Sequence, residues 1–359
     1  MKLPHFLFLF CLTAINIYSF AQGTITGQVV DGETKEPLAG ASVFAQNTTK
    51  GTITDKDGKF SLWLSKGGYE IIISYTGYTS RSINLADLTS DREFNIELQK
   101  GDNALSEVII KNSNEVPDGW EKYGDFFLKS FIGSTPYAQH CTLLNPEVLK
   151  FLYFKRTNKL KILATEPLQI QNNSLGYNLR YQLDSFVYLN NEEVNSYRGY
   201  CLYTAMDGNP EQQRLWSENR RKVYYGSRLH FLRSYFDSSL KQEGFTVDIV
   251  SASGPNRFAR LVNPYDKEYY LFNDTASTAE LWFPAKVSIT YNNKAPEKEY
   301  LQQYNLPSDV PVQISYVDIP EAIIIKQNGY FTDQNSWINQ GYWSWKNVAD
   351  QLPYDYEPQ

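Results

Sequence analysis

From Thr24 to about Gln99, apolar and polar positions alternate in short runs broken by Gly, Pro, Asp and Asn, which predicts short antiparallel strands and no helix. TITGQVVD alternates and ends in a polar turn. PLAGASVFA follows, with Pro37 at an edge or strand start and Gly40 permitting close backbone packing. In GTITDKDGKFSLWL, Asp57-Gly58 stands between two alternating runs and predicts a β-hairpin. YEIIISYTGY is the most apolar run and should be central, while REFNIELQ, with Phe94, Ile96 and Leu98 alternating, should close the sandwich.

The periodicity changes after a polar break at Lys100–Asn103, one further short strand, ALSEVIIK, and the polar stretch Asn112–Val116. Trp120, Tyr123, Phe127 and Phe131 recur at helical spacing up to Gly133, with Asp118 and Glu121 placed as a capping box. Between Leu149 and Met206 the runs LKFLYF, KLKILA, PLQIQ, GYNLRYQLDSFVYLN and VNSYRGYCLYTA predict an antiparallel meander. Asn209-Pro210 with Gln212 then opens a long helical stretch divided at Gly226. Leu229, Leu232, Phe236 and Leu240 form the apolar stripe of its second piece, and Gly244 ends it. FTVDIVSA, EYYLFN, AELWFPAKVSITY and PVQISYVDIPEAIII return to strand chemistry.

The expected fold class is therefore an all-β N-terminal sandwich followed by a β-rich α+β domain with a helical insertion. The expected organisation is a signal peptide at 1–21, a sandwich at 22–100, a linker at 101–117 and an α+β domain at 118–359. The leader reading rests on Lys2, the apolar run Phe6–Ile17 and the small-x-small site Ser19-Phe20-Ala21. The run is short for a bilayer span and has no basic stop, and Cys11 lies within it rather than at a lipidation site, so no transmembrane segment is expected after cleavage.

Composition adds to this picture in three ways. Of the 359 residues, 15% are aromatic, with 27 Tyr and 20 Phe, which suits pleated, half-buried surfaces. A net charge of −6, without a basic run, argues against nucleic acid and anionic membranes as partners. Two cysteines survive cleavage, Cys141 and Cys201, either as one disulfide or as two free buried thiols, and spacing does not decide between these.

Ile25, Gly27, Val29 and Asp31, then Pro37-Leu38, Gly40-Ala41, Gly51-Thr52, Thr54-Asp55, Gly58-Lys59-Phe60, Ser74-Tyr75 and Gly77-Tyr78 stand in an order and spacing that resembles the carboxypeptidase regulatory-like domain. That resemblance implies a transthyretin-like fold of about seven strands, non-catalytic, of the kind appended to exported peptidases and outer-membrane receptors. Leu105–Ile110 resembles the strand that follows this domain in energy-coupled receptors, yet the 248 residues after Lys111 are too few for a receptor's barrel. The remainder, including LPYDY near the end, resembles an uncharacterised region that accompanies this sandwich in exported bacterial proteins and implies no known activity. The localisation that follows is the periplasm or outer surface of a Gram-negative envelope.

Chemistry is sparse. After the leader only His140 and His230 remain, and neither has a Glu at the third following position, so a zinc carboxypeptidase site is not expected. Neither a cofactor nor a catalytic residue is expected. Asp55 and Asp57 do not begin a calcium loop, because Lys59 takes the third ligand position. His140-Cys141 adjoin, but sequence neighbours in a strand point apart. Ser238-Ser239-Leu240-Lys241 matches Ser-x-x-Lys without its companion motifs. The aromatics Trp337, Tyr342, Trp343 and Trp345 either stack on a sugar or partner or dock a terminal segment onto the domain. Asp274-Thr275-Ala276 resembles a bacterial O-glycosylation motif and makes Thr275 a candidate acceptor. The leading functional expectation is an exported binding or structural protein whose partner is a cell-envelope protein or polysaccharide. The alternative is a hydrolase of peptide or glycan using two carboxyls about 5 to 10 Å apart in the second domain.

Overall fold

The structure, a computed structural model, describes residues 23–65, 67–85, 92–101, 114–191, 194–250, 258–260, 263–275, 277–332 and 337–358. The expected leader, Cys11, the strand at Leu105–Ile110 and most of the expected linker lie outside the described residues.

Seven strands build the sandwich: β1 (Gly23–Asp31), β2 (Ser42–Ala45), β3 (Gly51–Ile53), β4 (Lys59–Leu64), β5 (Tyr69–Ser74), β6 (Arg81–Leu85) and β7 (Arg92–Leu98). They form two sheets, in the orders β4-β1-β7 and β3-β2-β5-β6, with β1 and β7 parallel and the other pairs antiparallel. Ile25, Val29, Leu62, Leu64, Ile71, Ile73, Ile96 and Leu98 fill the space between them. Gly27 is required by close approach: a Cβ there would stand 2.2 Å from the Phe94 carbonyl oxygen. Gly40 has another reason to be glycine than the expected close packing. It sits at φ +80° with open space where a Cβ would be. The Asp31 carboxylate accepts from the backbone N–H groups of Glu33 and Thr34 and from the Tyr78 hydroxyl at 2.6 Å, which ties two resemblance positions together. The Tyr78 bond first, then the backbone bonds, hold Asp31 well below the usual carboxylate range.

The Asp57-Gly58 turn departs from the expected hairpin. Asp55 Oδ1 accepts from the N–H of Asp57 and of Lys59, and Gly58 takes φ +70°, so the turn itself forms. Its two flanking strands, however, enter different sheets. The buried Thr54 hydroxyl accepts from Ala41 N–H at 2.8 Å and donates to the Leu38 carbonyl at 2.6 Å, which anchors the chain at the crossing point.

Strand β2 is buried along its whole length and Ile71-Ile72-Ile73 of β5 are all buried, so neither strand shows the alternation of a sheet with one wet face. Phe44 and Ile72 pair in register and lie outside the sandwich's own core. Their face meets the second unit. There Asn47 donates its N–H to the Cys201 carbonyl at 2.7 Å, and Tyr203 donates its own to the Thr48 carbonyl at 2.9 Å.

The described part of the second unit begins at Asn114, within the expected linker, and the Asn114 carbonyl and Val116 N–H already bond to Tyr153 and Phe151. Helix α1 (Gly119–Phe131) lays Phe127 and Phe131 against a six-stranded antiparallel sheet of β8 (Cys141–Leu143), β9 (Leu149–Phe154), β10 (Lys159–Ala164), β11 (Leu168–Asn172), β12 (Tyr177–Leu189) and β13 (Val194–Ala205). The long β12 carries β11 and β10 in succession along one edge and β13 along the other, which a simple meander would not do. Asp118 occupies the N-cap position without a side-chain capping bond, so the expected capping box is absent. At α2 (Pro210–Tyr224) the box is complete: Asn209 and Gln212 exchange side-chain to backbone bonds.

Gly226, at φ +85°, separates α2 from α3 (Arg228–Phe236). Leu240 is buried but lies beyond this helix, which ends before Ser238 at φ +54°. Rather than showing one apolar stripe, α3 is buried from Leu229 to Phe236. It is enclosed by a five-stranded sheet of β14 (Phe245–Val250), β15 (Phe258–Arg260), β18 (Val287–Tyr291), β19 (Gln313–Asp318) and β21 (Ile338–Gly341), and by a three-stranded sheet of β16 (Tyr270–Asn273), β17 (Thr278–Leu281) and β20 (Ile323–Ile325). Short helices α4 (Lys298–Gln303) and α5 (Tyr342–Trp345) complete the unit. No helix among the described residues is long and apolar enough to cross a membrane.

Candidate functional site

The terminal aromatics are core residues. Trp337, Tyr342, Trp343 and Trp345 are each at most 6% exposed, so they present no stacking platform to a ligand. Trp343 Nε1 donates to the Gly226 carbonyl at 2.7 Å, and Trp345 Nε1 donates to Ser134 and Gln303. Burial is what the second sequence alternative, docking of the terminal segment, requires.

Cys141 and Cys201 are free thiols. Register explains why: Cys141 of β8 stands opposite Asn172 of β11, which stands opposite Tyr177 of β12, whereas Cys201 of β13 is opposite Tyr181. Three inter-strand steps of about 4.8 Å and four residues along the strand separate them, far beyond disulfide reach. Of the two alternatives left open by spacing, the free thiols are the one found. Burial pushes the Cys141 thiol up to about 12, the wrong direction for a nucleophile beside the exposed His140. Ser238 and Lys241 do not share a helical turn, because α3 has already ended. Thr275 is exposed in the turn between β16 and β17, and Ala276 lies outside the described residues.

His230 is 3% exposed and has both ring nitrogens engaged: Gly226 N–H donates to Nδ1 at 3.2 Å and Nε2 contacts Glu243 Oε2 at 3.0 Å. A backbone N–H on Nδ1 places the proton on Nε2 and keeps the ring neutral. Burial lowers its pKa, against the pull of Glu243. For a base with a depressed folded-state value, the unfolded chain takes the proton first, so stability falls as pH drops below about 6.5. Replacing His230 by Gln is expected to flatten that part of the stability profile between about pH 7.5 and 5, read by urea unfolding of variant against parent. Parallel profiles would show that His230 binds its proton equally well folded and unfolded, contradicting the effect of burial.

The densest group of charges joins three segments of the second unit. Glu297 Oε1 lies 3.2 Å from Lys346 Nζ and 3.3 Å from Lys294 Nζ, and Glu297 Oε2 accepts from the Tyr342 hydroxyl. Lys346 also contacts Asp350 Oδ1 at 3.2 Å, while Thr135 donates to Asp350 Oδ2 at 2.6 Å. Burial raises the Asp350 carboxyl, with Lys346 opposing; at Glu297 burial is outweighed by Lys346 and Lys294, and its carboxyl is held low. These groups satisfy one another, so the cluster ties the terminal helix to its neighbours.

A cleft open to solvent lies elsewhere, where the first turn of α1 meets β9. It encloses about 340 Å³ and is lined by Trp120, Glu115, Glu121, Glu147 and Lys150 above an apolar floor that includes Leu149 and Phe151. Glu115 pairs with Lys150 at 3.9 Å, both partly exposed. Trp120 is half-buried, its ring lying against Gly124 one turn along the helix. The cleft offers an aromatic face with carboxylates around it, a lining suited to a polyhydroxylated or cationic group. The sequence reading missed it because Glu115, Trp120 and Glu147 converge only through the pairing of residues 114–116 with β9.

Residues 25–110 match the CarboxypepD_reg-like domain family, ten residues beyond the expected sandwich end and across the segment Leu105–Ile110. Over 121 residues the chain is 34% identical to TonB-dependent receptor SusC of Bacteroides thetaiotaomicron, covering 32% of this chain and 12% of the receptor. Over 90 residues it is 31% identical to TonB-dependent receptor P39 of Formosa agariphila, covering 25% of this chain and 8% of that one. The chain thus spans a small fraction of the length of the curated relatives it matches. A mutant type II cohesin–X-dockerin complex from Acetivibrio cellulolyticus matches 22% of this chain and 59% of its own at 28% identity, with a TM-score of 0.21.

Proposed function

We propose that this chain is an exported, non-catalytic binding or structural protein of a Gram-negative cell envelope, in the periplasm or at the outer surface, whose partner is an envelope protein or polysaccharide. The observation that carries this reading is the match of residues 25–110 to a domain whose described residues here make strands and turns, together with the similarity of the chain to TonB-dependent receptors. Engagement of His230 and mutual satisfaction of the Glu297–Lys346–Asp350 cluster support it further. The sandwich lends shape, and the cleft beside α1 receives the partner. Thr275 is the proposed glycosylation acceptor, checked by the intact mass of protein purified from its envelope.

The test is recovery of a partner by the tagged full-length chain from envelope extract, repeated with Trp120→Ala. The reading expects a specific protein or polysaccharide to be retained and that retention to fall at least about tenfold in the variant, a stacking contact's worth. Equal retention by both would remove the cleft from the account. The three glutamates of the cleft favour one second reading, hydrolysis of glycan or peptide. Turnover of envelope polysaccharide or peptide that disappears in Glu147→Gln would replace binding with catalysis.

A further inference from the structure

The C-terminal segment crosses from the second unit onto the sandwich. Tyr354 donates its N–H to the Asn47 carbonyl at 2.7 Å. Asp355 then accepts from Thr49 twice, from its N–H at 2.9 Å and from its hydroxyl, with Lys50 Nζ at 3.8 Å. Every one of these sandwich contacts falls on the single turn between β2 and β3. On the other side the segment is gripped by Arg233, a guanidinium only 8% exposed. Its NH2 donates to the Tyr354 carbonyl at 3.0 Å, its NH1 to the Tyr356 carbonyl at 2.8 Å and its Nε to the Asn328 carbonyl at 3.2 Å. Asn328 in turn donates to the Gly68 carbonyl at 3.0 Å, reaching the sandwich by a second route.

We infer that Leu352–Glu357 is a latch which reinforces the direct bonds of Asn47 and Thr48 to β13, holding the β2–β3 turn of the sandwich against the second unit, and whose release loosens that turn. Two features make it a latch rather than one more piece of core. Its hold on the sandwich is polar and narrow: one backbone bond from Tyr354 to Asn47 and the Asp355 carboxylate on Thr49. The closed seam also leaves the buried Gln46 Oε1 without a hydrogen bond. Buried polar atoms without partners favour the open state, where water reaches them.

The test is amide hydrogen exchange on the full chain with Asp355→Ala, which removes the carboxylate that Thr49 bonds. Exchange at the Asn47, Thr49 and Tyr203 amides is expected to quicken at least about tenfold, the loss of a charged acceptor with two donors, while β14 and β18 amides keep their rates. Arg233→Lys, which keeps the charge and loses the fork, is expected to do the same at Tyr354 and Asn47. Unchanged exchange at the turn in both variants would overturn the latch, and so would a uniform rise across β14 and β18.

Discussion

Trp345→Ala is expected to destabilise the protein by about 3–5 kcal/mol, among the largest single effects in the second unit. The indole is 2% exposed, packs on Tyr300 with centroids 5.4 Å apart, and its N–H donates to Ser134 and Gln303. Truncation would open a cavity and remove the indole N–H shared by Ser134 and Gln303, and Lys346, 4.7 Å above the ring, would lose its cover. Urea unfolding at constant pH checks this. An aromatic serving as a ligand platform would behave oppositely, with stability retained and binding lost.

The second large effect concerns Ile72. Ile72→Ala is expected to cost about 2–5 kcal/mol, comparable with Ile71→Ala, although only Ile71 lies in the core between the two sandwich sheets. Both are essentially unexposed, at 0% and 1%. Adjacent strand residues point to opposite faces, so equal costs would mean that this sheet is covered on both sides. A change within about 0.5 kcal/mol at Ile72 would mean its face is wet.

Most strands of the sandwich, though not β6, were readable because alternation and turn residues act locally: Asp31 and Asp55 each accept backbone N–H groups from within four residues, even though Asp31 also reaches Tyr78. The Asp57-Gly58 turn was read correctly and its consequence was not, because the choice of sheet is made by Thr54 reaching back to Leu38 and Ala41. In the same way Asn209 capped as expected, its partner Gln212 being three residues on, whereas Asp118 at ψ 41° did not bond. The unbroken Ile71-Ile72-Ile73 is a local sign of two-sided burial, beyond the central position that its apolar character predicts. The fate of the terminal aromatics, the separation of Cys141 from Cys201 and the cleft at Trp120 all depend on pairings between distant segments, which no periodicity encodes.

The account turns on the sandwich being seated against the second unit through the β2–β3 turn, and hydrogen exchange of the unmodified full chain at the Asn47 and Tyr203 amides tests this most directly. Protection comparable with that of the β12–β13 hairpin is the expected result, since each amide donates across the seam to a backbone carbonyl. Exchange at the rate of an open turn would contradict it and leave the two units merely tethered.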